Sequence, residues 1–161
     1  DHEVSKREEE HIAVAIFNQG QEDRFDHIGN MVDYQTPLKS NSKDKEVGKI
    51  DLLAYDGEKL YILELKKPKS RETMLRCVLE GYTYLNLADT KKLSDNFTGF
   101  ENTPVVACPF VFWGGCQNSE MNEERPWLKK VMNLLNSKPY YIKEENGKYF
   151  VTDKGENNGK I

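Results

Sequence analysis

Three polar residues interrupt two apolar, strand-like runs near the middle of the chain: Asp51 in the first, Glu64 and Lys66 in the second. Two carboxylates and an ammonium suit phosphodiester hydrolysis. That reaction needs neutralised phosphate oxygens, an activated water and a stabilised leaving alkoxide. Carboxylates can hold one or two Mg²⁺ (or Mn²⁺) ions, which act as Lewis acids and lower the pKa of bound water. A lysine beside the metal either orients that water or stabilises charge on the phosphorane. The competing reading is a solvated charged face of a hairpin. Leu53, Leu60 and Ile62 share that face, which therefore reads as buried. Unpaired charges buried there would cost several kcal/mol without a metal or counter-charge.

The elements that must position these groups are a hairpin and a helix. Asp56-Gly57 separates the two runs and is a strong hairpin signal. Residues two apart share a strand face, so Glu64 and Lys66 project together. A two-residue turn pairs Tyr55 with Glu58 and Asp51 with Ile62. Asp51 and Glu64 then become diagonal neighbours about 7 Å apart or less, a gap that a divalent ion with bonds of about 2.0–2.2 Å can span. An odd-length loop would turn Asp51 to the wrong face. Pro68 stops strand pairing, and Ser70 offers an N-cap for a helix over residues 71–87 with Met74, Leu75, Val78, Leu79 and Tyr82 at helical spacing.

Asp51, twelve intervening residues and then Glu64-Leu65-Lys66 resembles the PD-(D/E)xK nuclease superfamily, the restriction-endonuclease-like fold. The resemblance covers about a quarter of the chain. It implies that Asp51 and Glu64 bind the metal, with the Leu65 carbonyl as a further ligand, and that Lys66 assists catalysis. It also implies a helix after the Lys-bearing strand. RecB-like members carry a Gln and, four residues later, a Tyr on that helix; this chain has Glu80 and Tyr84 at the spacing, as site-ordering residues. Ile50 stands where the motif's name has proline. The family often adds a metal-binding Glu from its first helix, for which Glu9, flanked by Glu8 and Glu10, is the candidate.

A chain of 161 residues with 31% charged and 37% hydrophobic residues reads as one α/β domain. The domain is expected over residues 1–155, with residues 156–161 a flexible tail. A net charge of −4 argues against strong non-specific nucleic-acid binding. Lys67, Lys69, Arg71 and Arg76 nevertheless gather beside Lys66 and are the candidate phosphate-backbone contacts. Cys77, Cys108 and Cys116 lack metal-ligand spacing; the first two read as core thiols, which suits a reducing cytoplasm. No apolar run reaches transmembrane length. The chain opens on Asp1, as an excerpt or a processed chain would.

Residues 3–19 read as an amphipathic helix with Ser5 as the candidate cap at its start and Ile12, Ala13, Ile16 and Phe17 inward. Residues 30–38 read as a strand and 39–47 as a charged loop carrying Glu46. Residues 88–102 read as a polar loop anchored by Phe97 and Phe100. Residues 104–113 read as a strand, at an edge or bulged because of Pro109. A last helix is expected over 123–137, capped by Asn122, with Trp127, Leu128, Val131, Met132, Leu134 and Leu135 inward. A second hairpin should turn at Asn146-Gly147, and residues 155–161 read as disordered.

This order predicts an α/β domain with a central mixed β-sheet flanked by helices; the restriction-endonuclease-like arrangement is what the resemblance implies. The expected activity is Mg²⁺- or Mn²⁺-dependent cleavage of nucleic acid, DNA before RNA. Partners would be nucleic acid and either a second copy or further domains of a longer chain, with no membrane. The alternative is a catalytically silent nuclease-fold module for nucleic-acid binding or assembly.

Overall fold

The computed structural model describes residues 2–38, 48–88, 100 and 102–157. The loop over 39–47 with Glu46, the loop segment 89–99 with Phe97, and the tail residues 158–161 lie outside the described residues. In chain order the elements are α1 (His2–Gln19), β1 (Asn30–Pro37), β2 (Lys49–Tyr55), β3 (Leu60–Leu65), α2 (Met74–Leu87) and β4 (Val105–Phe112). There follow α3 (Cys116–Met121), α4 (Pro126–Leu134), β5 (Tyr140–Glu145) and β6 (Lys148–Thr152). Ser5 thus lies inside α1 rather than capping it.

The six strands form one mixed sheet in sequence order. β1, β2 and β3 run antiparallel, β4 and β5 continue parallel to β3, and β6 returns antiparallel. Every residue of β3 is buried, as expected of a strand covered on both faces. Its side chains alternate between two cores. Tyr61, Leu63 and Leu65 join Ala13 and Ile16 of α1 in the first. Leu60 and Ile62 face the other way, toward Ala88 at the end of α2. Full burial of each such aliphatic side chain contributes about 1.5–3 kcal/mol, and this anchors the strand that carries Glu64.

The β2–β3 turn is longer than predicted. Tyr55 pairs with Leu60, which leaves the four residues Asp56 to Lys59 in the loop. Asp56 Oδ1 accepts the backbone N–H groups of Glu58 (2.7 Å) and Lys59 (2.8 Å), and Oδ2 accepts the Tyr61 hydroxyl at 2.6 Å. This side-chain-closed turn replaces the tight two-residue form. The change is an even one, so the faces are kept: extending the register from Leu52↔Leu63 brings Asp51 opposite Glu64. The pair is therefore directly cross-strand rather than diagonal.

Helix α2 begins at Met74, and Thr73 rather than Ser70 caps it, its hydroxyl accepting Arg76 N–H at 3.2 Å. Ser70 instead closes the preceding turn: its N–H donates to the Lys67 carbonyl, and its hydroxyl accepts Glu72 N–H. The buried face of α2 is Met74, Cys77, Val78 and Gly81. Of the residues read at helical spacing Met74 and Val78 are buried, as is the expected core thiol Cys77, whereas Leu75, Leu79 and Tyr82 are exposed. The small residues let the helix lie close over the sheet. A Cβ on Gly81 would meet those of Ala107 and Glu64 at 3.5 and 3.9 Å.

Pro109 lies in an interior strand, contrary to the expected edge or bulge. The Phe110 carbonyl accepts Lys66 N–H, so Phe110 points its backbone polar groups at β3 and Pro109 points toward β5. The β4–β5 ladder begins only at Phe110↔Tyr140, so the missing N–H falls just before the partner strand starts. The predicted last helix is shorter than expected: it runs Pro126–Leu134, opened by Pro126 and flanked by Arg125 rather than capped by Asn122, which instead follows α3. Leu128 and Met132 are buried there, whereas Trp127 and Leu134 are 74% and 75% exposed. The short α3 was not expected. Its Gln117 side chain donates to the Glu72 carbonyl at 2.7 Å, and its Glu120 accepts Met74 N–H at 2.6 Å, fixing the entry to α2. The second hairpin turns in two residues at Asn146-Gly147, as predicted, both at positive φ. The Glu156 backbone is held by Asn118 and Asn122. Among the described residues no helix is long and apolar enough to cross a membrane.

Candidate functional site

The strand pair β2–β3 delivers the first two groups. Asp51 is half-buried; its Oδ2 accepts Leu65 N–H at 2.9 Å, and its Oδ1 lies 3.5 Å from Gln35 Nε2. Burial pushes its carboxyl up to about 7, against the opposing pull of the Leu65 N–H and the Lys66 charge. Glu64 is 4% exposed. Its Oε1 bonds the Lys66 ammonium at 3.1 Å, and its Oε2 accepts no hydrogen bond among the described residues. Burial, and then the neighbouring Asp51 charge, hold Glu64 well above the usual carboxylate range, and the adjacent Glu80 carboxylate also favours a proton held there.

Lys66 follows β3 on the same face and is buried. Its Nζ meets Glu64 Oε1 at 3.1 Å, Glu72 Oε2 at 2.7 Å and Glu80 Oε2 at 2.8 Å. Burial opposes the ammonium, but Glu64, Glu72 and Glu80 together outweigh it and hold Lys66 above its ordinary value. Lys66 is therefore a fixed cation through neutral pH. Glu80 also binds Arg76 Nε at 2.8 Å. Burial would raise Glu80, yet its bonds to Lys66 and Arg76 win and bring it down to about 2.

Helix α1 reaches the same place from the other side. Glu9 Oε1 accepts Lys67 N–H at 3.2 Å, and Glu8 pairs with Lys67 Nζ at 2.9 Å. Burial raises the Glu9 carboxyl as well. Asp51, Glu64, Lys66, Glu9, Glu80 and Tyr84 all line one cleft of about 800 Å³, to which Glu10 also contributes. Tyr84 is pushed up to about 12 by burial and then by the Glu64 and Asp51 charges, so it keeps its hydroxyl proton. The predicted cations Lys67, Lys69, Arg71 and Arg76 line the cleft too, joined by Lys6 and Lys49. Cations thus stand around a carboxylate-rich floor. Lys67 and Arg76 are already ion-paired; Lys69 and Arg71 are exposed.

Two participants were missed. Glu72 carried a readable signal, since Glu72, Arg76 and Glu80 recur every fourth residue. Gln35 carried none, because its place depends on the β1–β2 register. Glu46 lies outside the described residues.

Among the described residues, no three His, Cys, Asp or Glu side chains converge to hold a metal as they stand. The donor chemistry nevertheless suits a hard cation: oxygen donors only, one of them, Glu64 Oε2, buried and accepting no hydrogen bond among the described residues. The groups lining the cleft that could hold an ion are Asp51, Glu64 and Glu9; Leu65, whose N–H binds Asp51, is a core residue and not among the lining.

The buried carboxyls set a pH dependence. Asp51 keeps its proton to about pH 7 in the fold but only to about 3.8 when unfolded. Folding takes up a proton between those values, so stability falls as pH rises through that window. Glu64 adds to the fall above its unfolded value of 4.5. Glu80 works oppositely, stabilising above 4.5 and losing that contribution as pH falls toward about 2. The expected result in chelator, by scanning calorimetry, is a higher thermal midpoint near pH 5 than at pH 7.5. A midpoint that rises steadily across this range would refute proton retention by these carboxyls.

Compared with protein-family models, curated proteins and solved structures, the chain matches none of them.

Proposed function

We propose that this protein is a metal-dependent nuclease of the PD-(D/E)xK type, hydrolysing nucleic-acid phosphodiesters, with DNA as the first substrate class. One observation carries the reading: Asp51 and Glu64 stand opposite each other in a cleft, with Lys66 beside them and a buried Glu64 oxygen that accepts no hydrogen bond among the described residues. The helix after the Lys-bearing strand is also what the resemblance calls for.

In this reading Asp51, Glu64 and Glu9 hold Mg²⁺ or Mn²⁺. The ion, once bound, supplies Lewis-acid activation and neutralises charge on the scissile phosphate. Lys66, kept as an ammonium, donates rather than accepts: it orients the attacking water or holds a phosphate oxygen. Glu80 fixes the Lys66 rotamer from α2, and Tyr84 offers a hydroxyl donor from the same helix. Lys69 and Arg71 meet flanking phosphates as exposed cations.

A second reading is favoured by a different observation. Lys66 is already engaged by three carboxylates, as in a silent module where the ammonium stands in for the ion. Incubating supercoiled, linear and single-stranded DNA with Mg²⁺ or Mn²⁺ decides between them, using wild type and Glu64→Gln. Metal-dependent cutting that falls at least about 10³-fold in Glu64→Gln, as loss of an essential catalytic group does, supports the nuclease. Nucleic-acid retention without cutting supports the silent module. Cutting unaffected by Glu64→Gln would eliminate this site.

A further inference from the structure

Gln35 stands in the middle of β1, between the pairs Tyr34↔Leu52 and Thr36↔Ile50, and so directly across from Asp51. Its φ is +49°, in the left-handed region. A side-chain-bearing residue rarely adopts that conformation within a strand, and it persists only where the surroundings impose it. Its Nε2 lies 3.5 Å from Asp51 Oδ1, and its side chain lines the cleft. The other Asp51 oxygen accepts Leu65 N–H at 2.9 Å. Both oxygens of Asp51 are thus addressed by N–H groups from the two strands that flank it.

The ladder around Gln35 is irregular in a way that bears on this. Between Met31 and Asp33 the register shifts by one residue, a bulge that resets the rest of β1 against β2. Bulges and strained residues re-aim side chains and cluster at functional sites. A glycine at this position would relieve the backbone but could offer no amide to Asp51. A shorter or apolar side chain would leave Oδ1 without this donor.

We infer that Gln35 is a positioning residue for Asp51, its strained backbone holding the side-chain amide where it fixes the carboxylate that would face a divalent cation. The inference rests on the metal-dependent reading above. Orienting partners of this kind change metal affinity by about 10- to 100-fold when removed. They do so without contacting the ion.

The test is Mn²⁺ binding to the full chain, measured by calorimetry and by the spin-resonance signal of free Mn²⁺, with no substrate present. Wild type is compared with Gln35→Gly, which releases the strain, and with Gln35→Asn, which tolerates left-handed φ but has a shorter reach. Both variants should bind Mn²⁺ about 10- to 100-fold more weakly, while the thermal midpoint in chelator stays the same or rises. A purely structural role would lower the midpoint and the affinity together. Wild-type affinity in both variants, with wild type itself binding, would overturn the positioning role alone. A wild type that binds no Mn²⁺ would overturn the metal reading and this inference with it.

Discussion

A Lys66→Met chain should be less stable than wild type at pH 7.5 by about 3–5 kcal/mol, the usual consequence of removing one partner from a buried ion pair. The size follows from how many charges depend on Lys66. Its ammonium lies 3.1, 2.7 and 2.8 Å from Glu64, Glu72 and Glu80, of which Glu64 is almost wholly buried. Arg76 can compensate Glu80, and more distantly Glu72, from the surface. It makes no ion pair with Glu64.

Methionine keeps the length and the apolar stem, so packing is nearly preserved and the charge is isolated as the variable. The Lys66 charge itself adds no slope near neutrality. Its folded value lies above the unfolded 10.5, so its contribution is complete below that pH and is lost only in strong alkali. The variant, by contrast, must keep protons on its carboxyls to stay folded. Folding then takes up protons above about 4.5, and the deficit grows as pH rises. Urea unfolding in chelator at pH 5 and pH 7.5 should show a smaller loss at the lower pH. A loss under about 1 kcal/mol at both, the size seen for exposed pairs, would mean that water compensates the cluster.

The order of strands and helices was legible because the patterns behind it are local. The Asn146-Gly147 turn closes in two residues, since both positions take positive φ and the turn needs no outside help. Asp56-Gly57 carries the same signal, but Asp56 is also claimed by the Tyr61 hydroxyl across the hairpin, and the loop opens to four residues. No local rule contains that contact. The face assignment of Asp51, Glu64 and Lys66 survived because strand periodicity is two and the shift was even. The α2 face was legible only in part for a related reason. Leu75, Leu79 and Tyr82 are the larger apolar residues, yet Cys77 and Gly81 face the sheet because small residues permit the close approach over Ala107 and Glu64. Met74, Val78 and Cys77 are buried as read, but hydrophobic size widens the stripe too far when helix and sheet must nearly touch. Gln35 is the limiting case: its role depends on the bulge between Met31 and Asp33 and on the register that follows it, which no spacing of residue types encodes.

Glu64→Gln should do the reverse of Lys66→Met and stabilise the metal-free chain. Glu64 has one oxygen on Lys66 and one with no donor among the described residues. Lys66 keeps Glu72 and Glu80 when Glu64 is neutralised, so the substitution strands no charge. Wild type must hold a proton on Glu64 or tolerate its buried charge beside Asp51, and either costs stability above the unfolded value of 4.5. That cost grows as pH rises above that value, up to the folded one. Glutamine has no such slope. The two chains should therefore be close in stability at pH 4 and diverge toward pH 7, with the glutamine chain ahead by about 1–3 kcal/mol, the scale of one unsatisfied buried group. Saturating Mn²⁺ should then reverse the order. An ion at about 1,000 times its Kd adds about 4.1 kcal/mol to a chain that binds it and less to one that has lost a ligand. Denaturant titrations at pH 7.5, with and without Mn²⁺, measure both halves. A wild type more stable than Glu64→Gln in chelator would show that Glu64 is a structural ion-pair partner, and the metal-site reading of this cleft would lose its main support.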